Sequence, residues 1–432
     1  MAAIPTHALS KSKLSGLDHL RISLFWFGFN FVWGGFFGPL LAGQMTQLSP
    51  LHAAATIGWL STIAAIPAIL VPLLTGPFSD RCRSRFGRRS PFILTGSLIG
   101  VAGLLLMAAS YAARNLAGYI ACYLLLQIGT NIALAAYSGV IPDQVPIEER
   151  GRASGMMAVM SQVGTLAGII TCAIVLKGQV WCQFAMAGVL GLFGLVTVWT
   201  LRDRPIQGEA TPLDWPTYFR SLWIDPRRYP DFAWVWLTRA LMMLGFYMIQ
   251  PYILYYLRDV IHVAEAEETA GKVLFLILVA ATLSGYYGGR LSDRIGRKRL
   301  VTLSTLLIAS MCVVFVFLNS LVQVLIAGVV FGIGYGAYIS VDWALGTDVL
   351  PNKEEAAADM AVWHIAMTLP QMFSAYVAGT LILDHMIAGH YVAPDGQRVA
   401  TYSHAGYGAV FSLAAVLFFM SGVLVRKVKG ST

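Results

Sequence analysis

The chain has 432 residues, 57% of them hydrophobic and only 12% charged, with a formal net charge of +8. A soluble protein of that length needs surfaces rich in Lys and Glu, which so few charges cannot supply, so the composition excludes a soluble multidomain protein and implies a polytopic membrane protein. The basic balance asks for no nucleic-acid partner, because anionic lipid attracts basic loops at about 1 kcal/mol per residue.

Apolar windows of about 20 residues, the length that crosses a ~30 Å bilayer core, fall at 21–47, 53–77, 91–113, 117–141, 154–176, 180–201, 234–257, 272–289, 300–318, 322–349, 361–383 and 406–425. All twelve are read as helices, because lipid leaves an open sheet edge unsatisfied and alternating polar and apolar positions are absent. No short apolar segment with a small-residue cleavage site precedes the first window, so no cleaved signal peptide is expected. Cys82, Cys122, Cys172, Cys182 and Cys312 lack metal or disulfide spacing and read as packing residues. With both termini assigned to the cytoplasm, 24 of the 30 Lys and Arg lie in cytoplasmic segments, five lie opposite, and Arg239 falls inside a span.

The chain repeats itself. Gly76-Pro77-Phe78-Ser79-Asp80-Arg81 returns as Gly289-Arg290-Leu291-Ser292-Asp293-Arg294, and "FGRR" at 86–89 returns as "IGRK" at 295–298. Asp143 and Pro146, with Glu148 and Glu149 behind them, are matched by Asp348 and Pro351 with Glu354 and Glu355. The expected organisation is a tail at 1–20, a six-helix bundle at 21–201, a linker at 202–233 carrying Pro, Arg and Trp, a second bundle at 234–425 and a tail at 426–432. The outward connection 384–405 reads as an ordinary loop that covers the outer mouth, its three histidines lacking metal spacing.

The doubled G-x-x-x-D-R with G-R-[RK], on a twelve-helix frame, resembles the major facilitator superfamily over essentially the whole chain. "SDRCRSRFGRRSPFI" at 79–93 is similar to the matching loop of sucrose carriers, and "YISVDWALGTDVLP" with "AVWHIAMTLPQ" resembles a bacterial branch of that group. The resemblance implies an all-helical membrane protein of two pseudo-symmetric bundles. It also implies that Asp80 and Asp293 each sit opposite a helix N-terminus of their own bundle. A cytoplasmic ion-pair network of Asp80, Arg81, Arg88, Arg89, Asp143, Arg150, Asp293, Arg294, Arg297 and Asp348 would then hold one access state shut. The arginines would equally serve to fix topology, and both roles are compatible. The plant pattern "CRALLAD" departs here to "YSGVIPD" at 137–143, with Ser138 at the Arg position, so coupling through that Arg is not carried over.

In such a frame the first and fourth helices of each half line a central cavity. The first span carries Trp26, Asn30, Trp33, Phe37 and Gln44 at helical spacing, aromatic planes beside amides that suit a sugar, though a lipid-facing stripe would look the same. The fourth offers Gln127, Asn131 and Ser138, which would serve a solute or interhelical bonding. The seventh carries Arg239, Met243, Phe246, Tyr247 and Gln250 before Pro251, which would break the helix near a gate; Arg239 would bind, couple or snorkel to the near surface. The tenth places Tyr335, Tyr338 and Asp342 at i, i+3 and i+7, and a buried carboxylate costs about 2.5–3.5 kcal/mol unless paired, hydrated or protonated. Asp342 is thus the expected proton-coupling residue, with a structural pair to Arg239 as the alternative. The eleventh adds Trp363, His364, Thr368 and Gln371. Paired glycines at 34 and 38, 164 and 168, and 332 and 336 read as close helix packing.

With no G-x-x-x-x-G-K-[ST] loop, an ion gradient must supply the energy. The expected function is a proton symporter of a sugar or glycoside such as sucrose or maltose, without cofactor, acting as a monomer in a bacterial inner membrane, with Na⁺ as the alternative ion. The rivals are an exporter of drug-like compounds and a carrier of small organic anions with Arg239 as counter-ion. Enzyme motifs such as H-E-x-x-H and G-x-S-x-G are absent, so no enzymatic activity is expected.

Overall fold

The computed structural model describes residues 15–146, 149–178, 180–201, 203, 214–216, 218, 224–349, 356–393 and 396–429. Within these, the side chains at 141–142, 150–151, 293, 343–344, 347–348, 356–361 and 364 are outside the description.

Among the described residues, twelve helices are long and apolar enough to cross a membrane. They are α1 Gly16–Leu48, α2 Ala53–Asp80, α3 Ser90–Ala112, α4 Leu116–Ser138, α5 Arg152–Val175, α6 Trp181–Thr200 and α7 Pro230–Asp259. The remainder are α8 Ala266–Ile295, α9 Arg297–Phe315, α10 Leu321–Asp348, α11 Ala356–Ala375, which continues as a wider turn over Tyr376–Leu383, and α12 His404–Lys427. The predicted windows find every one of them. Their ends lie deeper in the polar sequence than hydropathy suggests because capping side chains extend them: Ser15 caps α1 in a reciprocal capping box with Asp18, and Ser403 accepts from Gly406 at the start of α12.

The helices form two six-helix bundles whose tightest internal pairs are made by glycine. Gly164 and Gly168 of α5 lie against the backbone carbonyls of Phe27 and Phe31 on α1, where any Cβ would collide, and Gly332 and Gly336 of α10 do the same against Ile277 and Ala281 of α8. Such close approach lets dispersion hold helices together where lipid removes the hydrophobic drive. Gly38 departs from the packing expectation. A Cβ there would meet only Ile169 at 3.7 Å, and its ψ of −151° instead breaks α1 ahead of Pro39, within the wide turn Phe36–Leu40. α7 is broken as expected, with a tight turn over Gln250–Tyr252 around Pro251.

The connection expected to be an unstructured loop is a β-hairpin, β1 Ile387–Val392 and β2 Arg398–Tyr402, antiparallel with His390 opposite Ala400. Hydropathy missed it because short polar strands outside the bilayer carry little periodic signal. It does cover that end of the molecule. The Ala400 amide donates to the Pro50 carbonyl at 2.9 Å, and the Tyr402 hydroxyl accepts from the Ala54 amide at 2.9 Å, both in the first bundle. On its other side the Tyr402 amide and the Tyr407 hydroxyl donate to Asp259 at 3.0 and 2.8 Å, and Arg258 donates to the Ala400 carbonyl at 2.9 Å.

At this hairpin end the two bundles are joined directly as well. Tyr255 donates to the Ala42 carbonyl at 2.9 Å, and Tyr252 donates to the carbonyls of Ala375 at 2.6 Å and Ala54 at 3.3 Å. His52 meets Asp384 at 3.1 Å, and Lys177 meets Glu268 at 3.0 Å. The hairpin end is therefore closed. At the opposite, basic end the described ion pairs each join groups of one bundle.

Candidate functional site

In the second bundle, α7, α10 and α11 bring together the residues singled out for coupling. Arg239 donates from Nη1 to Asp342, the Tyr338 hydroxyl donates to the other carboxylate oxygen of Asp342 at 2.8 Å, and the Arg239 guanidinium lies 4.7 Å over the Trp363 ring and 3.9 Å from the Met367 sulfur. Arg239 and Asp342 are each 2% exposed, which settles two readings. Arg239 does not snorkel to the surface, because its charge is met inside the bundle; and Asp342 is not a lone carboxylate but the acceptor of two donors. Burial of both charges is tolerable only through this mutual pairing. Tyr335 stacks on Phe246 with ring centroids 4.6 Å apart, and Tyr247 meets the edge of Phe246 at 5.5 Å, extending the aromatic wall from α10 to α7. Gln250 begins the tight turn of α7.

In the first bundle the matching helices carry neutral polar groups. Asn131 donates to the backbone and side-chain oxygens of Gln127 at 2.8 and 3.1 Å, and Gln127 donates to the Tyr123 hydroxyl at 3.1 Å. Tyr123 stacks on Phe36 of α1 at 5.0 Å and meets Trp33 edge-on at 6.5 Å, so the amide ladder of α4 and the aromatic stripe of α1 form one wall. Trp33 stacks on Phe37 at 5.2 Å, and Asn30 donates to the Trp26 carbonyl at 2.8 Å. The stripe on α1 is therefore turned towards α4 over Trp33 to Phe37. Gln44 departs from that wall: fully buried, it accepts from Tyr119 and Gln183, each at 2.7 Å, and ties α1 to α4 and α6. Ser138 donates to the Ala135 carbonyl of its own helix. The buried indole Nε1 groups of Trp26 and Trp363 have no acceptor among the described residues.

At the basic end the first motif copy forms a network. Arg89 pairs with Asp80 at 2.6 Å and Asp143 at 3.0 Å, donates to Ser79 at 3.2 Å, and is joined by Arg88 on Asp143. Arg81 donates to the Pro77 carbonyl at 3.1 Å. The network ties the α2–α3 loop to the segment after α4, within one bundle. At the α3 N-terminus Asp203 accepts from the Arg89 and Ser90 amides at 2.7 Å each, and Asp80 pairs with the side chain of Arg89, the residue just before that helix. In the second copy Arg290 is placed over Tyr286, and Arg294 is exposed. Arg297 begins α9. The side chains of Arg150, Asp293, Asp348 and His364 lie outside the described residues.

Sequence reading missed Tyr123, Met367 and Asp203. Tyr123 sits four residues before Gln127 on the same helical face, a signal that an i, i+4 search would have caught; Asp203 sits in a linker, where no periodicity marks it.

The chain matches the model of the Major Facilitator Superfamily over residues 22–375 and again over 235–431. It is 25% identical over 184 residues to Sucrose transport protein SUC4 of Arabidopsis thaliana, a match covering 39% of this chain and 35% of that protein. It is 26% identical over 181 residues to General alpha-glucoside permease of Schizosaccharomyces pombe, covering 35% and 33% respectively. These matches thus span about a third of the length of either curated relative. Among solved structures, the D-xylose-proton symporter superposes with a TM-score of 0.66 at 16% identity, covering 97% of this chain and all of that one, which is a likeness of fold. Twelve apolar helices in two bundles, the doubled loop motif and a family match along nearly the whole length agree: the chain is a multi-pass membrane protein and belongs to the Major Facilitator Superfamily.

Proposed function

We propose that the protein imports a sugar or glycoside, of disaccharide size, by proton symport with alternating access. The basic end faces the cytoplasm of a bacterial cell in this reading, so the closed hairpin end faces outward and the structure is the state shut to the outside. The observation that carries the reading is the Arg239–Asp342 pair with Tyr338 and Trp363 around it. Protonation of Asp342 cancels the charge that holds Arg239 and frees the guanidinium to donate to solute hydroxyls, while loss of the proton restores the pair and displaces the solute. Proton and solute occupancy are then linked through one group.

The opposite wall supplies neutral partners. Gln127, Asn131 and Tyr123 both donate and accept, as hydroxyls require, and the indole N–H groups of Trp26 there and of Trp363 beside Arg239 are donors without acceptors among the described residues. Trp33 is an aromatic plane for the C–H side of a sugar ring, whereas the face of Trp363 is taken by Arg239. The names of the two curated relatives, a sucrose transport protein and an alpha-glucoside permease, support the same solute class. An organic anion would have to compete with Asp342 for Arg239, which argues against the anion-carrier reading.

The test is external pH in a lightly buffered suspension of energy-depleted cells carrying the protein, with sucrose, maltose and other disaccharides added singly. Alkalinisation specific to one sugar and abolished by a protonophore is the expected result; no pH change with any sugar overturns the proposal.

A further inference from the structure

A second carboxylate, unused by that mechanism, sits where the bundles close. Glu267 stands in the first turn of α8, yet its carboxyl reaches across to the first bundle and packs against Gly43 of α1 and Gly178 between α5 and α6. A Cβ on Gly43 would come within 2.6 Å of its Oε1, and Gly178, at φ +68°, leaves no more room. The two glycines form a socket in one bundle for an acid from the other. Oε1 is buried there with no hydrogen-bond partner among the described residues. The socket borders a cavity of about 860 Å³ beneath the hairpin, which half-buried Glu267 itself lines, so the path for water to the acid is short.

The neighbouring charges are otherwise engaged. Lys177 meets Glu268 at 3.0 Å and Glu265 at 4.0 Å, Lys272 meets Glu268 at 2.7 Å, and Arg258 is held by Asp259 at 2.6 Å. Tyr111 of α3 donates to Gln47, and the Cys182 thiol donates to the Cys172 carbonyl, so neither of these groups facing the acid donates to it. Arg114 and His262 line the same cavity, His262 at an exposed position. His52, which also crosses the boundary to Asp384, is 63% exposed in its side chain, and such a pair contributes little.

Closing the socket leaves Oε1 of an ionised Glu267 without water or a hydrogen-bond partner among the described residues, whereas the neutral acid loses far less. We propose that Glu267 is a proton-binding site of the hairpin-end gate: it takes up a proton while that end is open to water, and the bundles close over the neutral acid. Rising pH therefore favours the open hairpin end, and falling pH the closed one. The inference requires only exchange between these two states and is independent of which solute is carried.

The test places spin labels at Leu51 and His262, exposed positions on opposite bundles at the hairpin end, in a cysteine-free full-length chain in lipid nanodiscs. Distances are then measured at pH 5.5, 7.0 and 8.5. The long-distance population should rise at least about five-fold across that range, since one titrating group permits up to ten-fold per unit. Glu267→Gln should remain at short distance throughout, and Glu267→Asp, which keeps an ionisable group, should recover a pH response. A Glu267→Gln protein that responds to pH like its parent overturns the proposal, as does a parent that shows no response.

Discussion

Arg239 and Asp342, 103 residues apart in the chain, form an ion pair across α7 and α10 in which each residue is buried. The pair places the arginine that lies deep within α7 against the carboxylate that hydropathy alone would have left isolated, and it does so beneath the ring of Trp363. Removing one member leaves an uncompensated buried charge, which costs about 3–5 kcal/mol, whereas removing both costs far less.

Asp342→Asn should therefore lower thermal stability and abolish uphill solute accumulation while leaving solute exchange partly intact. The double variant Arg239→Gln with Asp342→Asn should regain most of the stability without regaining accumulation. Thermal unfolding in detergent, beside accumulation and counterflow assays in proteoliposomes, separates the two effects; stability that does not recover in the double variant would show that the pair has a further partner.

The stack of Arg239 on Trp363 orients the guanidinium, a contact of about 0.5–2 kcal/mol. Trp363→Phe should retain most of it and raise the apparent KM for solute less than about three-fold. Trp363→Ala should raise it by roughly ten-fold or more, because it removes the ring and the indole donor together. Initial-rate uptake over a range of solute concentrations measures both.

Tyr402 ties the hairpin to α2 through the Ala54 amide and to Asp259 through its own amide. Tyr402→Phe removes only the hydroxyl acceptor, at about 1 kcal/mol, and should shift the equilibrium roughly five-fold towards an open hairpin end. Alkylation of a cysteine placed at Thr46, which lines the cavity beneath the hairpin, should speed up accordingly.

Tyr402 also gives a pH signature. Burial pushes its hydroxyl up to about 12 from an ordinary value of 10, so the unfolded chain ionises first. A group whose folded pKa is raised holds its full contribution below the unfolded value and loses it as pH climbs from 10 through 12. The stability difference between the parent and Tyr402→Phe should be constant below pH 9 and move in favour of the variant above pH 10, as read from thermal midpoints.

Arg89 binds Asp80, Asp143 and Ser79 at once, and its geometry depends on the α3 cap supplied by Asp203. Arg89→Lys keeps the charge but cannot bridge three acceptors and should slow transport severalfold. Asp203→Ala should cost about 1 kcal/mol through the lost cap. Transport rates that match the parent in Arg89→Lys would show that this network fixes topology alone.

The sequence by itself determined the number and position of the membrane helices, the basic end, the duplicated loop and the family, because hydropathy, charge count and motif spacing are local properties read along one dimension. It also pointed to Asp342 and Arg239, since a charge inside an apolar span stands out wherever it lies. The tertiary structure decided what each group faces. Whether Asp342 is lone or paired, which carboxylate meets the amides at the start of α3, and whether Gln44 meets a solute or Tyr119 and Gln183 depend on segments brought together from distant parts of the chain. The hairpin was beyond sequence because its short strands carry little periodic signal, and the glycine socket of Glu267 because it is defined by contacts across the two bundles that no spacing within either one records.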